Sequence, residues 1–127
     1  MAGEISGSLD TNVVMRILVR DLPEFTERAL NLVESGHFEV ADVAIVEAVY
    51  ALENHYGLAR SDAVDAMKGF ALSEHIVVSG AALYALDVYP LHPKLSFADC
   101  LLSATSPEPL WTFDKKLVNQ TSARMIP

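Results

Sequence analysis

The chain has 127 residues, of which 51% are hydrophobic and 20% charged, and these proportions predict one folded domain spanning residues 1–127. Its net charge of −8 argues against broad, nonspecific nucleic-acid binding, because attraction to phosphates needs clustered lysine and arginine. No window approaches the roughly 18 uninterrupted apolar residues of a membrane span, and the N-terminus lacks a signal-peptide pattern. With a single cysteine, Cys100, these features indicate a cytoplasmic protein.

Short β-like runs are predicted at Ile5–Leu9, Phe38–Val40, Ile76–Val78, Leu110–Phe113 and, more weakly, near Ala123–Ile126. Helical patterns fill the gaps between these runs. Each gap before the fourth run holds roughly 25–35 residues, more than the dozen that a parallel crossover needs. The alternation predicts an α/β fold, with a parallel sheet sandwiched between helices.

The predicted helices have recognisable ends. In the first gap, Asp21–Glu24 supplies a cap, an early proline and an acidic first turn, and Gly36 is placed to end that helix. In the second gap, a helix over Asp42–Tyr56 is ended by Gly57. The next helix is capped by Ser61 and carries four apolar residues on one face, namely Val64, Met67, Phe70 and Ala71.

The third gap predicts a helix over Ser79–Tyr89 that stops at Pro90, and a second helix that begins at Ser96. In parallel sheets, ligands bind beyond the carboxyl ends of the strands. Asp10, directly after the first predicted strand, is therefore expected at the ligand-binding edge. A turn or helix cap explains an aspartate there equally well.

Glu47 lies in a helical segment, DVAIVEAVYAL, that is apolar nearly all round and is therefore expected to be buried. A buried glutamate needs a partner or must be neutralised, and no lysine or arginine lies one turn away. The alternative is that Glu47 reaches a narrow solvent-facing strip of the helix. Both interpretations remain open at the level of sequence.

Asp99 and Asp114 also have two interpretations each. Ser96 and Asp99 have the spacing of a capping box, yet a residue in the first turn of that helix can project into a cleft. Asp114 ends the fourth predicted strand, as Asp10 ends the first, and also suits the N-cap of a helix starting at Lys115.

The combination of four carboxylates is more informative than any one of them. If they converge, pairs about 5 Å apart repel by roughly 3 kcal/mol each at an effective dielectric constant of 20. Protons or a divalent cation must then neutralise them. Oxygen ligands without histidine or thiolate favour Mg²⁺ or Mn²⁺ over zinc.

Four segments together resemble the PIN-domain family. They are LDTNVV at the N-terminus, the lone Glu47 in an apolar helix, SFADCLL and TFDKKL, in that order and at approximately the family's spacing. The chain looks most like the small VapC-type toxins of toxin–antitoxin pairs, and the resemblance covers essentially its whole length.

The resemblance implies a three-layer α/β/α sandwich around a central, mostly parallel sheet of four to five strands. It also implies an endoribonuclease that cleaves RNA phosphodiester bonds with Mg²⁺ or Mn²⁺. By the same resemblance, Asp10, Asp99 and Asp114 are metal ligands, and Glu47 binds the metal directly or through water. Thr112 takes the family's Ser/Thr position and orients a carboxylate or the attacking water.

Two segments depart from the family pattern. SGSLDT is richer in glycine and serine than the usual apolar first strand. The segment LLSATSPEPLWTF between Asp99 and Asp114 is short, so the helix after Asp99 is expected to end around Ser103–Thr105, before the prolines.

A non-catalytic PIN-like module that acts through protein contacts is the main alternative. A phosphatase of the haloacid dehalogenase type fits poorly because position 12 is Asn12 rather than aspartate, and a receiver domain needs an aspartate where the chain has Ser79. The toxin resemblance implies a cognate antitoxin and a homodimer. The negative charge favours a cationic antitoxin segment. Lys115 and Lys116 are candidate contacts to RNA phosphates, as are Arg16, Arg20 and Lys94.

Overall fold

All five predicted strands form in the computed structural model, which describes residues 3–127. Each is two residues long: β1 Gly7–Ser8, β2 Phe38–Glu39, β3 Ile76–Val77, β4 Trp111–Thr112 and β5 Arg124–Met125. They are shorter than predicted, but backbone pairing continues beyond them. The Ser6 amide donates to the His37 carbonyl at 2.7 Å, and the Leu9 amide donates to the Glu39 carbonyl at 2.9 Å.

The strands form two parallel sheets in two compact units. In the unit Met1–Ser79 the order is β1-β2-β3, with Phe38 opposite both Gly7 and Ile76. In the unit Gly80–Pro127, β4 pairs with β5. The predicted α/β class and parallel pairing are therefore confirmed, as a three-stranded sheet and a two-stranded sheet. The prediction of one domain with one central sheet stays a prediction.

Helices connect the strands in both units. The first unit holds α1 Thr11–Val19, α2 Pro23–Glu34, α3 Asp42–Asn54 and α4 Arg60–Ala71; the second holds α5 Gly80–Val88, a 3₁₀ turn Tyr89–Leu91, α6 Phe97–Thr105 and α7 Lys115–Gln120. Among the described residues, no helix combines the length and the apolar character needed to cross a membrane.

Apolar helix faces supply the core of each unit. In the first unit, α1 contacts α2 and α3, and α3 contacts α4. Ile45 and Met67 are fully buried, and the apolar face predicted for α4 is buried at all four of its positions. In the second unit, α5 packs on α6, and Tyr89 lies edge-on to Phe97 with ring centroids 5.5 Å apart. Cys100 is buried.

Two predicted helix caps are wrong. The N-cap residue of α2 is Leu22, whose side chain cannot accept a hydrogen bond, and the Asp21 carboxylate pairs with Arg16 at 2.9 Å. Helix α4 begins one residue before Ser61, with Ala59 as its N-cap, so Ser61 lies inside the first turn. Gly57 follows α3 with φ of +71°, a backbone conformation that glycine adopts without strain.

The capping box predicted for α6 is confirmed. Ser96 Oγ accepts a hydrogen bond from the Asp99 amide at 3.0 Å, and Asp99 Oδ2 accepts one from the Ser96 amide at 3.1 Å. The helix ends at Thr105, before the prolines, as expected. Two amides that a helix start otherwise leaves unpaired are thereby satisfied.

Ser96→Ala is expected to lower the free energy of unfolding by about 1 kcal/mol, because it removes the acceptor for the Asp99 amide. Ser61→Ala is the matched control, since Ser61 lies in a first turn but makes no side-chain cap for α4. Its effect should stay within about 0.5 kcal/mol. Urea denaturation of the three proteins measures both values, and equal losses for the two variants would contradict the capping role of Ser96.

Candidate active site

Asp10 lies at the carboxyl end of β1 and is also the N-cap of α1. Leu9 before it is buried, which anchors the end of the strand, and Asp10 itself is exposed. Its Oδ1 accepts a hydrogen bond from the Val13 amide at 3.1 Å. A carboxylate can accept several hydrogen bonds, so capping leaves Asp10 Oδ2 able to bind something else. The two interpretations of Asp10 are therefore compatible.

Glu47 is exposed, which corrects the expectation that α3 is buried all round. The helix buries Ala44, Ile45, Ala48, Val49 and Leu52. The apolar residues Val43 and Tyr50 are instead 65% and 59% exposed, and Glu47 lies on their side of the helix. Its Oε1 accepts a hydrogen bond of 2.5 Å from the Thr11 hydroxyl, so α1 orients a carboxylate on α3.

One cleft of the first unit contains both carboxylates. It has a volume of about 650 Å³. Among the described residues that line it there is no lysine or arginine, so the fixed charges of its walls are those of two acids. The lining residues are Asp10, Thr11, Asn12, Val46, Glu47, Tyr50, Ala51 and His55.

Asp99, Asp114 and Thr112 lie in the second unit. Asp99 is half-buried and holds the capping box of α6. Asp114, also half-buried, caps α7 through a 2.8 Å hydrogen bond from the Lys116 amide to its Oδ1. Thr112 Oγ1 accepts a 2.9 Å hydrogen bond from the Asp114 amide, so the Thr112 hydroxyl fixes the backbone that carries this carboxylate.

The structure thus brings Asp10 and Glu47 together in one cleft. Asp99 and Asp114 belong to the other unit, and the convergence of all four acids stays a prediction. Within residues 3–127, no group of three or more histidine, cysteine, aspartate or glutamate side chains lies close enough to hold a metal ion. A cation in the first unit would therefore rely on two carboxylates and on water or substrate oxygens.

The sequence did not point to Thr11, Tyr50 or His55 as site residues, although all three line this cleft. Helical spacing offered a signal for two of them. Tyr50 follows Glu47 by three positions and so shares its face of α3, while His55, eight positions after Glu47, is the C-cap residue of the helix. The Tyr50 and His55 rings meet edge to face with centroids 5.9 Å apart. No local pattern singled out Thr11.

A further carboxylate lies at the same edge of the sheet. Asp42 begins α3, three positions after the end of β2, and its Oδ1 accepts a 2.6 Å hydrogen bond from the hydroxyl of Ser79, shortly after β3. This hydrogen bond joins the segment that follows β2 to the segment that follows β3. The sequence predicted Asp42 only as the start of a helix.

The lysine and arginine residues predicted to contact RNA differ in their surroundings. Arg16 is occupied by Asp21, and its Nη2 donates to the Tyr56 hydroxyl at 3.4 Å. Lys115 and Lys116 are exposed in the first turn of α7, directly after Asp114. Charges placed there remain accessible to a phosphate.

No protein-family model matches the chain, and neither a curated protein nor a solved structure matches it significantly.

Proposed function

We propose that this protein is a divalent-metal-dependent endoribonuclease that hydrolyses RNA phosphodiester bonds, the toxin of a toxin–antitoxin pair acting in the cytoplasm. The observation that carries the proposal is that Asp10, at the carboxyl end of β1, and Glu47, on α3, line one cleft. The order and spacing of the four acidic segments, which resemble those of PIN domains, support it further. The proposal includes one PIN-like sandwich with a single central sheet.

The side chains of the cleft suit Mg²⁺ or Mn²⁺. Carboxylate, hydroxyl and amide oxygens come from Asp10, Glu47, Thr11 and Asn12. Magnesium is commonly held by one or two carboxylates together with waters and substrate phosphates. In the proposed site Asp10 and Glu47 would hold the metal, and the family resemblance implies Asp99 and Asp114 as further ligands.

A cation held there would lower the pKa of a bound water and neutralise charge on the scissile phosphate. Residues of the protein orient the carboxylates. The Val13 amide holds Asp10 Oδ1, and the Thr11 hydroxyl holds Glu47 Oε1, so both carboxylates are oriented before substrate arrives. Thr112 holds the backbone of Asp114. One carboxylate accepts a proton from the attacking water.

Partners follow from the same proposal. A cognate antitoxin carrying a cationic segment is favoured by the net charge of −8 and by the acidic cleft. A homodimer is proposed on the toxin resemblance. RNA is the substrate, and the exposed Lys115 and Lys116 are proposed to contact its phosphates.

Removing the metal is expected to abolish activity. We expect the purified chain to cleave single-stranded RNA in Mg²⁺ or Mn²⁺, to lose cleavage in excess EDTA, and to regain it when either ion is restored. Gel analysis of a labelled RNA measures the cleavage, and calorimetric titration with Mn²⁺ measures binding. Cleavage that persists in EDTA would contradict the mechanism.

A non-catalytic protein-interaction module is the second candidate. Exposed apolar residues favour it: Phe25 and Leu32 of α2 line a groove of about 360 Å³ beside α1. The lack of a three-residue ligand group within residues 3–127 points the same way. This candidate predicts neither Mn²⁺ binding nor metal-dependent cleavage, so the metal experiment separates the two.

A further inference from the structure

Tyr50 is a large aromatic side chain that the fold leaves exposed inside an acidic cleft. It is 59% exposed although it lies in a helix whose opposite face is fully buried. It lines the cleft beside Asp10 and Glu47. An exposed aromatic ring does not gain the free energy of burying its apolar surface in the core. A ring exposed in a cleft is available to contact a ligand.

The orientation of this ring is constrained. Tyr50 and His55 meet with an interplanar angle of 74°, an edge-to-face contact that aromatic pairs favour. The Tyr50 carbonyl also accepts a hydrogen bond from Asn54 Nδ2 at 3.0 Å, which adds a tie at the end of α3. The exposed ring is therefore part of an ordered aromatic pair.

The negative charge of the cleft favours contact with ligand groups that carry no charge. Away from a bound cation, Asp10 and Glu47 repel phosphate, and no arginine or lysine stands among the described lining residues. Stacking of a nucleobase on an aromatic ring needs no charge complementarity, and every base has a face that can stack. The cleft is thus suited to holding a base close to its carboxylates.

We propose that Tyr50, supported by His55, is a stacking site for one unpaired RNA base beside the scissile phosphate, and that it makes the cleft selective for single-stranded RNA. This inference rests on the proposed function. Bases in an A-form duplex are stacked on one another, so only an unpaired base can be splayed onto a side chain. Tyr50 is accordingly a specificity-determining residue and takes no part in bond cleavage.

The test compares two tyrosines with equal exposure. Tyr84 on α5 is also 59% exposed but does not line the cleft. Binding of a fluorescein-labelled single-stranded RNA is measured by anisotropy in the Asp10→Asn background, in which the probe stays intact. Adding Tyr50→Ala should weaken binding roughly ten-fold, the scale of one lost base stack. Adding Tyr84→Ala should leave it unchanged.

Two further measurements make the assignment specific to stacking. Tyr50→Phe keeps the ring and should bind as tightly as the Asp10→Asn parent, whereas a duplex probe should show no dependence on Tyr50. Equal RNA affinities of the Tyr50→Ala and Tyr84→Ala proteins would overturn the inference. Failure of the Asp10→Asn protein to bind the single-stranded RNA would overturn it as well. Failure of the unsubstituted protein to cleave the same RNA in Mn²⁺ would instead overturn the proposed function, so the two failures are distinguishable.

Discussion

Asp10→Asn is expected to reduce metal-dependent RNA cleavage by at least about 100-fold, while the fold stays intact. The substitution removes the charge that would bind the cation. It keeps the helix cap, because asparagine is as good an N-cap as aspartate and can accept the same hydrogen bond from the Val13 amide. Loss of activity without loss of stability would therefore show that cleavage depends on the negative charge of Asp10.

Single-turnover cleavage of a labelled RNA in Mn²⁺ measures this effect, and thermal unfolding measures stability. Asp65→Asn is the matched control: Asp65 is exposed on α4 in the same unit and does not line the cleft. Asp10→Ala should lose as much activity as Asp10→Asn and also about 1 kcal/mol of stability, because it removes the cap. Cleavage by Asp10→Asn at the parent rate would show that the site is wrongly assigned.

Ile45→Ala is expected to have the largest effect on stability, lowering the free energy of unfolding by about 2–5 kcal/mol. Ile45 is 0% exposed on the buried face of α3, so truncation loses apolar burial and leaves a cavity. Val43→Ala, two residues earlier on the same helix, is the control. Val43 is 65% exposed, and its truncation should change stability by less than about 0.5 kcal/mol.

Urea denaturation followed by two probes measures the effect and also tests the single-domain prediction. Circular dichroism reports on helices of both units, whereas fluorescence reports on Trp111, the one tryptophan of the chain, which lies in β4 of the second unit. If the chain unfolds as one domain, Ile45→Ala should shift both transitions equally. If Ile45→Ala leaves the fluorescence transition unchanged, the single-domain prediction is contradicted. If Val43→Ala lowers the free energy of unfolding as much as Ile45→Ala does, the assignment of Ile45 to the core is contradicted.

Several local features were predictable because their causes lie within a few residues. The capping box of α6 depends on Ser96 and Asp99, three positions apart, and the end of that helix depends on the prolines that follow. The places of the five strands followed from short β-like runs. Their observed lengths are shorter because such a run does not specify how far neighbouring strands stay in register.

Two of the predicted helix caps failed. Asp21 has the chemistry of a helix cap, but Arg16 on the preceding helix takes its carboxylate. Ser61 has the chemistry of a cap as well, but α4 starts one residue earlier. A side-chain cap is worth only about 1 kcal/mol, and it did not decide where either helix begins.

By itself, the sequence determined the α/β class, the alternation of strands and helices, the parallel pairing of the strands, and the positions of Asp10 and Asp114 just beyond strand ends. These features follow from periodicity and from residues near one another in the chain. Tertiary structure decided that Glu47 faces solvent, that the hydroxyl of Thr11, 36 residues away, holds it, and that Tyr50 and His55 share its cleft. The physical reason is that the apolar residues of α3 cover most of its circumference. Only packing against α1 and α4 selects which of them are buried and which side is left open to a ligand.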